Sequence, residues 1–330
     1  MTSHSDVLTD RFGRFHDYLR VSITDRCNLR CVYCMPEEGV VWQPRDEILS
    51  FEEIERLARF FVEHGVRKIR LTGGEPTLRK GYLNLVEALA AIPGLYQLAL
   101  TTNGTKLSQD AVALKAAGLA SVNVSLDSLR EDRFLEITRR NELRRVLQGI
   151  EATQAVGLET KINVVVLPGV NEDEVIPFAE FACERNLTVR FIEFMPFLDN
   201  GWNSKRVVSS EKIRSRLSEQ FELRPLASGA SDVAREYAID DSAGRVAFVS
   251  SVTESFCSGC NRIRLTSDGR LKSCLFLPPN ISVRDLIRKG ASDKELEIAV
   301  RQCLDGKWSA HPPMQNWAQR DNLTMVQIGG

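Results

Sequence analysis

No run in this sequence approaches the ~20 apolar residues that a membrane-spanning helix needs, so an α-helical membrane protein is excluded. Charge excess is also missing. Lys and Arg number 43 against 44 Asp and Glu, a formal net charge of -1. A protein that grips long nucleic acid through bulk electrostatics needs a strong basic surplus, so no nucleic-acid partner is expected. A local cluster of arginines for a small polyanion stays open. The first residues carry Asp6, Asp10 and Arg11 and have no long apolar core, so no signal peptide is expected and the chain reads as cytoplasmic. In a reducing compartment its 8 cysteines are metal ligands or small buried residues rather than disulfides. Two of them, Cys183 and Cys303, stand alone and read as helix or core residues.

The other six cysteines form two sets. The first is Cys27-Asn-Leu-Arg-Cys31-Val-Tyr-Cys34, just beyond an apolar, β-prone run at 19–24. Structural zinc and the [4Fe–4S] cube normally take four protein ligands, so three thiolates on one loop leave a position for an outside molecule. A structural site has no use for that position, and a catalytic site does. The spacing fits neither a zinc ribbon nor a simple Cys-x-x-Cys redox pair. The second set is Cys257-Ser-Gly-Cys260 with Cys274. Residues 262–266 alternate polar and apolar, Ser267-Asp-Gly269 signals a hairpin turn, and the chain returns over 270–276. If Thr266 faces Arg270, Cys274 lands opposite Arg262, within reach of Cys257 and Cys260. Zinc, or a cluster with a further ligand, is the alternative at this set. Two incomplete three-cysteine sets in one chain favour two iron–sulfur clusters.

The rest of the chain alternates β-branched runs with amphipathic stretches. Strands are expected at 19–24, 68–72, 97–101, 121–125, 161–167 and 188–194. Helices are expected at 51–64, 82–91, 108–117, 143–156 and 174–184, three of them followed by the stop signals Gly65, Gly118 and Gly157. Such alternation reads as βα units and a parallel sheet, either a complete or incomplete barrel or a doubly wound sheet. In both layouts ligands bind at the C-terminal ends of the strands. Near residue 220 the pattern gives way to small polar residues, short strands and turns. The expected division is 1–220 and 221–330, with a single domain bearing an elaborate tail as the alternative.

Several motifs together carry a resemblance. The cysteine loop with Tyr33 at its aromatic position and Gly73-Gly-Glu-Pro76 resemble the radical S-adenosylmethionine (SAM) superfamily. Within it, the second cysteine set, Thr24-Asp-Arg-Cys-Asn28, Arg70-Leu-Thr-Gly-Gly-Glu-Pro76, Thr101-Thr-Asn-Gly104, Asn123-Val-Ser-Leu-Asp-Ser128, Arg190-Phe-Ile-Glu193, Cys260-Asn-Arg-Ile-Arg264 and the terminal Gly329-Gly330 resemble the GTP 3',8-cyclase family of molybdenum cofactor biosynthesis. The likeness runs from about residue 12 to the last residue.

The resemblance implies an α/β fold, an incomplete (β/α)6 TIM-type barrel whose C-terminal α+β module helps close it. It implies two [4Fe–4S] clusters, one on Cys27, Cys31 and Cys34 and one on Cys257, Cys260 and Cys274, with SAM as cosubstrate. Tyr33, Gly74, Ser125 and Met195 would line the SAM site, and Glu75 would accept from the SAM amino group. Arg20, Arg70, Thr101, Lys161, Arg262 and Arg264 would hold GTP, and arginine suits that task because its planar fork matches phosphate. Gly329 and Gly330 would reach the active site and assist the radical step. Implied partners are GTP, an external electron donor and a downstream cyclic pyranopterin monophosphate synthase, with the chain a monomer or homodimer. Two other functions are open to the residues alone: a radical SAM maturase acting on a peptide, and a non-enzymatic iron–sulfur electron carrier.

Overall fold

The computed structural model describes residues 6–35, 39–311 and 323–328. Six strands follow one another in space as in sequence: β1 (Tyr18–Ser22), β2 (Lys68–Thr72), β3 (Gln97–Thr102), β4 (Ser121–Ser125), β5 (Glu159–Val166) and β6 (Thr188–Glu193), all parallel. The connecting helices are α1 (Phe51–Glu63), α2 (Tyr82–Ala90), α3 (Leu107–Ala116), α4 (Glu131–Thr138), α5 (Leu143–Ala155) and α6 (Val175–Arg185). Helix α1 begins where the sequence dictates. Ser50 and Glu53 form a reciprocal capping box, with Glu53 N donating to Ser50 Oγ at 3.2 Å and Ser50 N to Glu53 Oε2 at 2.7 Å.

The strands bury one face and leave the other polar. Leu19, Val21, Ile69, Leu71, Leu98, Leu100, Val122, Val124, Ile162 and Val164 join the main apolar core. Their alternate neighbours, among them Arg20, Arg70, Thr101, Asn123, Lys161 and Asn163, line a cavity on the opposite face. Fully covered parallel sheets are apolar on both faces. A parallel sheet with one arginine-rich face therefore encloses a binding space.

The C-terminal part continues this sheet at both edges. After α7 (Ser210–Ser218) come β7 (Leu223–Pro225), β8 (Arg235–Ile239) and β9 (Arg245–Val249). Strand β9 pairs parallel with β6, and β8 and β7 follow it antiparallel. At the other edge β10 (Arg262–Leu265) pairs parallel with β1, and β11 (Arg270–Lys272) and β12 (Ile281–Ser282) extend it antiparallel. The order is β12-β11-β10-β1-β2-β3-β4-β5-β6-β9-β8-β7, twelve strands whose ladder of hydrogen bonds stays open. Residues 227–234 of the C-terminal part face the open side and add Ala227, Ser228, Ser231 and Asp232 to the cavity wall. Among the described residues three further helices follow, α8 (Val283–Arg288), α9 (Asp293–Asp305) and α10 (Met325–Ile328).

The expected strands and helices recur with ends displaced by a residue or two. Helix α4 was not foreseen. Its eight residues bury Phe134, Ile137 and Thr138 while Leu135 is 47% exposed, too short a pattern to stand out. Cys183 lies on α6, and Cys303 is buried on α9. Among the described residues no helix is long and apolar enough to cross a membrane.

Candidate active site

The cavity has a volume of about 580 Å³. Sheet register builds its floor. Arg264, Arg20 and Arg70 stand side by side on β10, β1 and β2, and Arg262, Tyr18 and Lys68 form the neighbouring row. On the far side Thr101, Asn123 and Lys161 align across β3, β4 and β5, and Asn163 pairs with Arg190 of β6. Every one of these side chains lines the cavity.

So many cations at close range strain one another. Burial pushes Arg20 down to about 9, with Arg264, Arg70 and Arg262 adding to the effect and Tyr18 opposing it. Burial and Arg262 push Arg264 down to about 10. A polyanion in the cavity relieves this repulsion. Polar atoms also wait there without partners: Arg264 Nη1, Arg190 Nε, Asn123 Oδ1 and Asn163 Oδ1 are buried and make no hydrogen bond. Buried polar groups are ordinarily satisfied, so both donors and acceptors await a polar ligand. At the other end Glu236 Oε1 stands 3.5 Å from Lys161 Nζ and 3.4 Å from Arg190 Nη2, and Glu159 lies 2.9 Å from Lys161.

The first cysteine set sits in the loop after β1, where Cys34 N and Met35 N both donate to Cys31 O at 3.0 Å. Burial pushes the Cys27 thiol up to about 11. It also raises Cys31 and Cys34, where neighbouring cysteines add to the effect. Gly73 and Gly74 meet this loop directly. Gly73 has φ +148°, and a Cβ there would come within 2.5 Å of Thr24 O; one at Gly74 would come within 2.5 Å of both Asp25 O and Arg26 O. Gly74 N donates to Thr24 O at 2.8 Å and Glu75 N to Arg26 O at 2.7 Å, so the glycines let two backbones lie against each other. The buried Glu75 carboxylate is engaged within the protein. Oε1 accepts from Thr77 N, Thr77 Oγ1 and Thr102 Oγ1, and Oε2 from Asn103 N at 2.6 Å. It ties the glycine motif to the end of β3.

Tyr33, Ser125 and Met195 reach the same cavity wall. Tyr33 Oη donates to Asp127 Oδ2 at 2.5 Å, and Asp127 Oδ1 accepts from Val165 N at 2.8 Å. Burial raises Asp127 to about 6 against the lowering effect of these two bonds.

The second cysteine set adjoins the cavity through its neighbours Phe256, Asn261, Arg262 and Leu275, which line the wall. Cys257 and Cys260 flank one helical turn, with Cys260 N donating to Cys257 O at 3.2 Å. Strands β10 and β11 pair with Arg264 opposite Lys272, and Thr266 N donates to Arg270 O at 2.9 Å. The hairpin thus has the anticipated register, and Cys274 lies just past β11 on the side where Arg262 opens β10. Burial pushes the Cys260 thiol up, but Lys307 and Arg262 more than offset it and leave it at about 7.

A family profile described as the radical SAM superfamily matches residues 21–182, and one described as molybdenum cofactor synthesis C matches 187–313. A protein of Arabidopsis thaliana named GTP 3',8-cyclase, mitochondrial, is 44% identical over 328 residues, 99% of this chain and 84% of that one. The GTP 3',8-cyclase of Pelotomaculum thermopropionicum is 44% identical over 329 residues, 98% of this chain and 100% of that one. The chain belongs to the GTP 3',8-cyclase family. Relatives named molybdenum cofactor biosynthesis protein 1 are longer; the chain is 45% identical to that of Drosophila melanogaster and spans 54% of it. Among solved structures, Streptococcus suis SuiB bound to precursor peptide SuiA has a TM-score of 0.60 at 15% identity, over 82% of this chain and 64% of that one, a likeness of fold.

Radical SAM membership brings SAM and a [4Fe–4S] cluster with it. The chemistry of the first cysteine set fits: three half-buried thiols act on one another, and loss of their protons is disfavoured until a cation shares the loop. Among the described residues no three His, Cys, Asp or Glu side chains form a single-ion site. A cube binds each thiolate through a separate iron and asks for a wider spacing than one ion does.

Sequence reasoning passed over several cavity residues of this GTP 3',8-cyclase family member. Lys68 lies two residues before Arg70, and Arg190 two before Ile192, so strand parity alone puts them on the cavity face. Tyr18 and Glu236 gave no local signal. Neither did Lys307, which contacts Cys260 from beyond α9. Gly329 and Gly330 lie outside the described residues.

Proposed function

We propose that this protein is a radical SAM GTP 3',8-cyclase that makes (8S)-3',8-cyclo-7,8-dihydroguanosine 5'-triphosphate, the first step of molybdopterin biosynthesis. Hydrogen is taken from C3' of GTP, C3' bonds to C8 of guanine, and one electron and one proton complete an isomer of GTP. The observation that carries the reading is the row Arg264, Arg20 and Arg70 with its unpartnered Arg264 Nη1, on a cavity also lined by Tyr33 of the first cysteine loop and by Asn261 and Leu275 beside the second set.

Cys27, Cys31 and Cys34 would hold the cluster that, when bound, supplies the electron for cleaving SAM to methionine and the 5'-deoxyadenosyl radical. Tyr33, Gly74, Ser125 and Met195 would hold SAM beside that loop. Asp127 supports the arrangement by fixing the Tyr33 ring through its hydroxyl. Arg20, Arg70, Lys161, Arg262 and Arg264 would bind the triphosphate, with Thr101, Lys68 and Arg190 beside them. Arginine forks give paired, charge-assisted bonds to phosphate. The phosphates would draw Lys161 and Arg190 away from Glu236. Cys257, Cys260 and Cys274 would hold a second [4Fe–4S] cluster next to guanine. The Gly329-Gly330 tail would assist the radical step. An external reductant supplies electrons, and a cyclic pyranopterin monophosphate synthase consumes the product. We place the reaction in the cytoplasm, although the Arabidopsis relative is named mitochondrial.

Anaerobic incubation of the reconstituted protein with GTP, SAM and a reductant tests this. The expected products are 5'-deoxyadenosine and a nucleotide with GTP's mass but a different retention on chromatography. SAM cleavage that leaves GTP unchanged would overturn the proposal.

A further inference from the structure

Lys307 follows α9 and is only 2% exposed. Its Nζ donates to Arg262 O at 3.0 Å, to Ser273 O at 2.6 Å and to Cys260 Sγ at 3.5 Å. An ammonium has three N–H donors and no acceptor, so this set uses its whole capacity. The two carbonyls belong to opposite strands of the hairpin, one at the start of β10 and one directly before Cys274. Lys307 therefore pins together the two ends of the hairpin on which the second cysteine set converges. Of its three partners, only the sulfur can carry a charge. A buried ammonium is costly unless an anion stands beside it. Two carbonyls are enough for tying strands, and they leave the contact with Cys260 unexplained.

We propose that Lys307 is a positioning residue for the second iron–sulfur cluster, holding Cys260 through an N–H···S hydrogen bond and setting the cluster's reduction potential with its charge. This rests on the reading of Cys257, Cys260 and Cys274 as cluster ligands. Hydrogen bonds to ligand sulfur and nearby charge are among the levers by which proteins set such potentials. A cation beside the cluster favours the reduced, more negative form, so its removal drives the potential more negative. Arg262 also donates to this sulfur, through its backbone N–H and through Nη1 at 4.0 Å, but its side chain faces the cavity that GTP would fill. Lys307 is the charged donor that does not line this cavity.

The test uses the full chain with Cys27, Cys31 and Cys34 replaced by Ser, so that only the second cluster assembles. The midpoint potential is titrated by electron paramagnetic resonance with Lys307 present, with Lys307→Met and with Lys307→Arg. Lys307→Met, similar in length but uncharged, is expected to keep the cluster and shift its potential to a more negative value. Lys307→Arg is expected to stay nearer the parent. An unchanged potential in Lys307→Met would overturn the proposal. A second measurement covers a variant that fails to fold. In ε-15N-lysine-labelled protein, pulsed resonance should detect a 15N coupling to the reduced cluster, retained in Lys272→Met, which keeps Lys307. Absence of that coupling would also overturn the proposal. If the parent chain binds no iron at these cysteines, the cluster reading itself fails, and Lys307 has no such role.

Discussion

The Tyr18 hydroxyl accepts a hydrogen bond from Arg70 Nε at 2.6 Å on the floor of the cavity. Lys68 Nζ lies 5.0 Å and the Arg262 guanidinium 5.8 Å from the centre of the Tyr18 ring. Burial raises the phenol's pKa, but Arg70, Arg20 and Lys68 more than offset it and bring it down to about 7. A phenolate here repels a triphosphate, and a phenol does not. The folded value lies below the ordinary 10, so the phenolate's contribution to stability is complete above pH 10 and is lost as pH falls through 7. For GTP the sign reverses: binding takes up a proton, and affinity weakens as pH rises above 7. Equilibrium GTP binding to the parent and to Tyr18→Phe between pH 6 and 9 checks this, because the comparison cancels the nucleotide's own titration. The variant should have the flatter profile; parallel profiles would count against a role for Tyr18.

Gly74, like Gly73, packs against the cysteine loop with no room for a side chain. A Cβ would meet Asp25 O and Arg26 O at 2.5 Å each, and both are backbone atoms. Gly74→Ala should cost roughly 1–3 kcal/mol, as overpacking does, and separate residues 24–26 from the glycine motif. The expected outcome is a lower denaturation midpoint together with fewer than about four irons at the first cysteine set, measured in a chain lacking the second set. An unchanged midpoint would show that the two backbones have room to part.

The two cysteine sets should separate functionally. Anaerobically reconstituted protein should hold roughly eight irons, from two [4Fe–4S] clusters. Replacing Cys27, Cys31 or Cys34 by Ser should abolish SAM cleavage. Replacing Cys257, Cys260 or Cys274 should halve the iron, spare SAM cleavage and stop GTP cyclisation. Iron analysis and 5'-deoxyadenosine assays decide it; stoichiometric zinc at the second set would contradict it.

Much of this site could be read from sequence because its chemistry is local. Three cysteines in one loop, Gly73-Gly-Glu-Pro76 and the Ser267-Asp-Gly269 turn each act within a few residues, and the turn also set the β10–β11 register. Lys68 and Arg190 could have been found by strand parity, but Tyr18, Glu236 and Lys307 depend on distant pairing. Strand β10 joins β1, and β9 joins β6, across long stretches of chain, and nothing in either strand names its partner. Those pairings place Tyr18 between Arg262 and Lys68, and β8 behind β9 brings Glu236 to Lys161. Lys307 carries no local signal, because only the folded hairpin surrounds it with carbonyls and a sulfur. Glu75 shows the converse. Its motif was plain, but its hydrogen bonds to Thr77, Thr102 and Asn103 are the work of the folded loops.

Arg264 Nη1 is buried without a partner, and Arg262 Nη2 already donates to Ser231 O at 2.8 Å. The two arginines should therefore differ. Arg264→Ala should weaken GTP binding roughly ten- to hundred-fold, as about 1.5–3 kcal/mol per bond to a charged group implies, and leave SAM cleavage nearly intact. Arg262→Ala should also release residues 231–232 and lower thermal stability. Guanosine should be a far poorer substrate than GTP for the parent, with a smaller gap for Arg264→Ala. Equal turnover of guanosine and GTP by the parent would remove the phosphate row from the account.

The central claim is that this cavity presents C3' of GTP to the radical derived from SAM. GTP carrying deuterium at C3', turned over anaerobically with SAM and a reductant, tests it most directly. The account predicts one deuterium in the 5'-deoxyadenosine and none left at C3' of the cyclised nucleotide. Unlabelled 5'-deoxyadenosine formed alongside a cyclised product would contradict it.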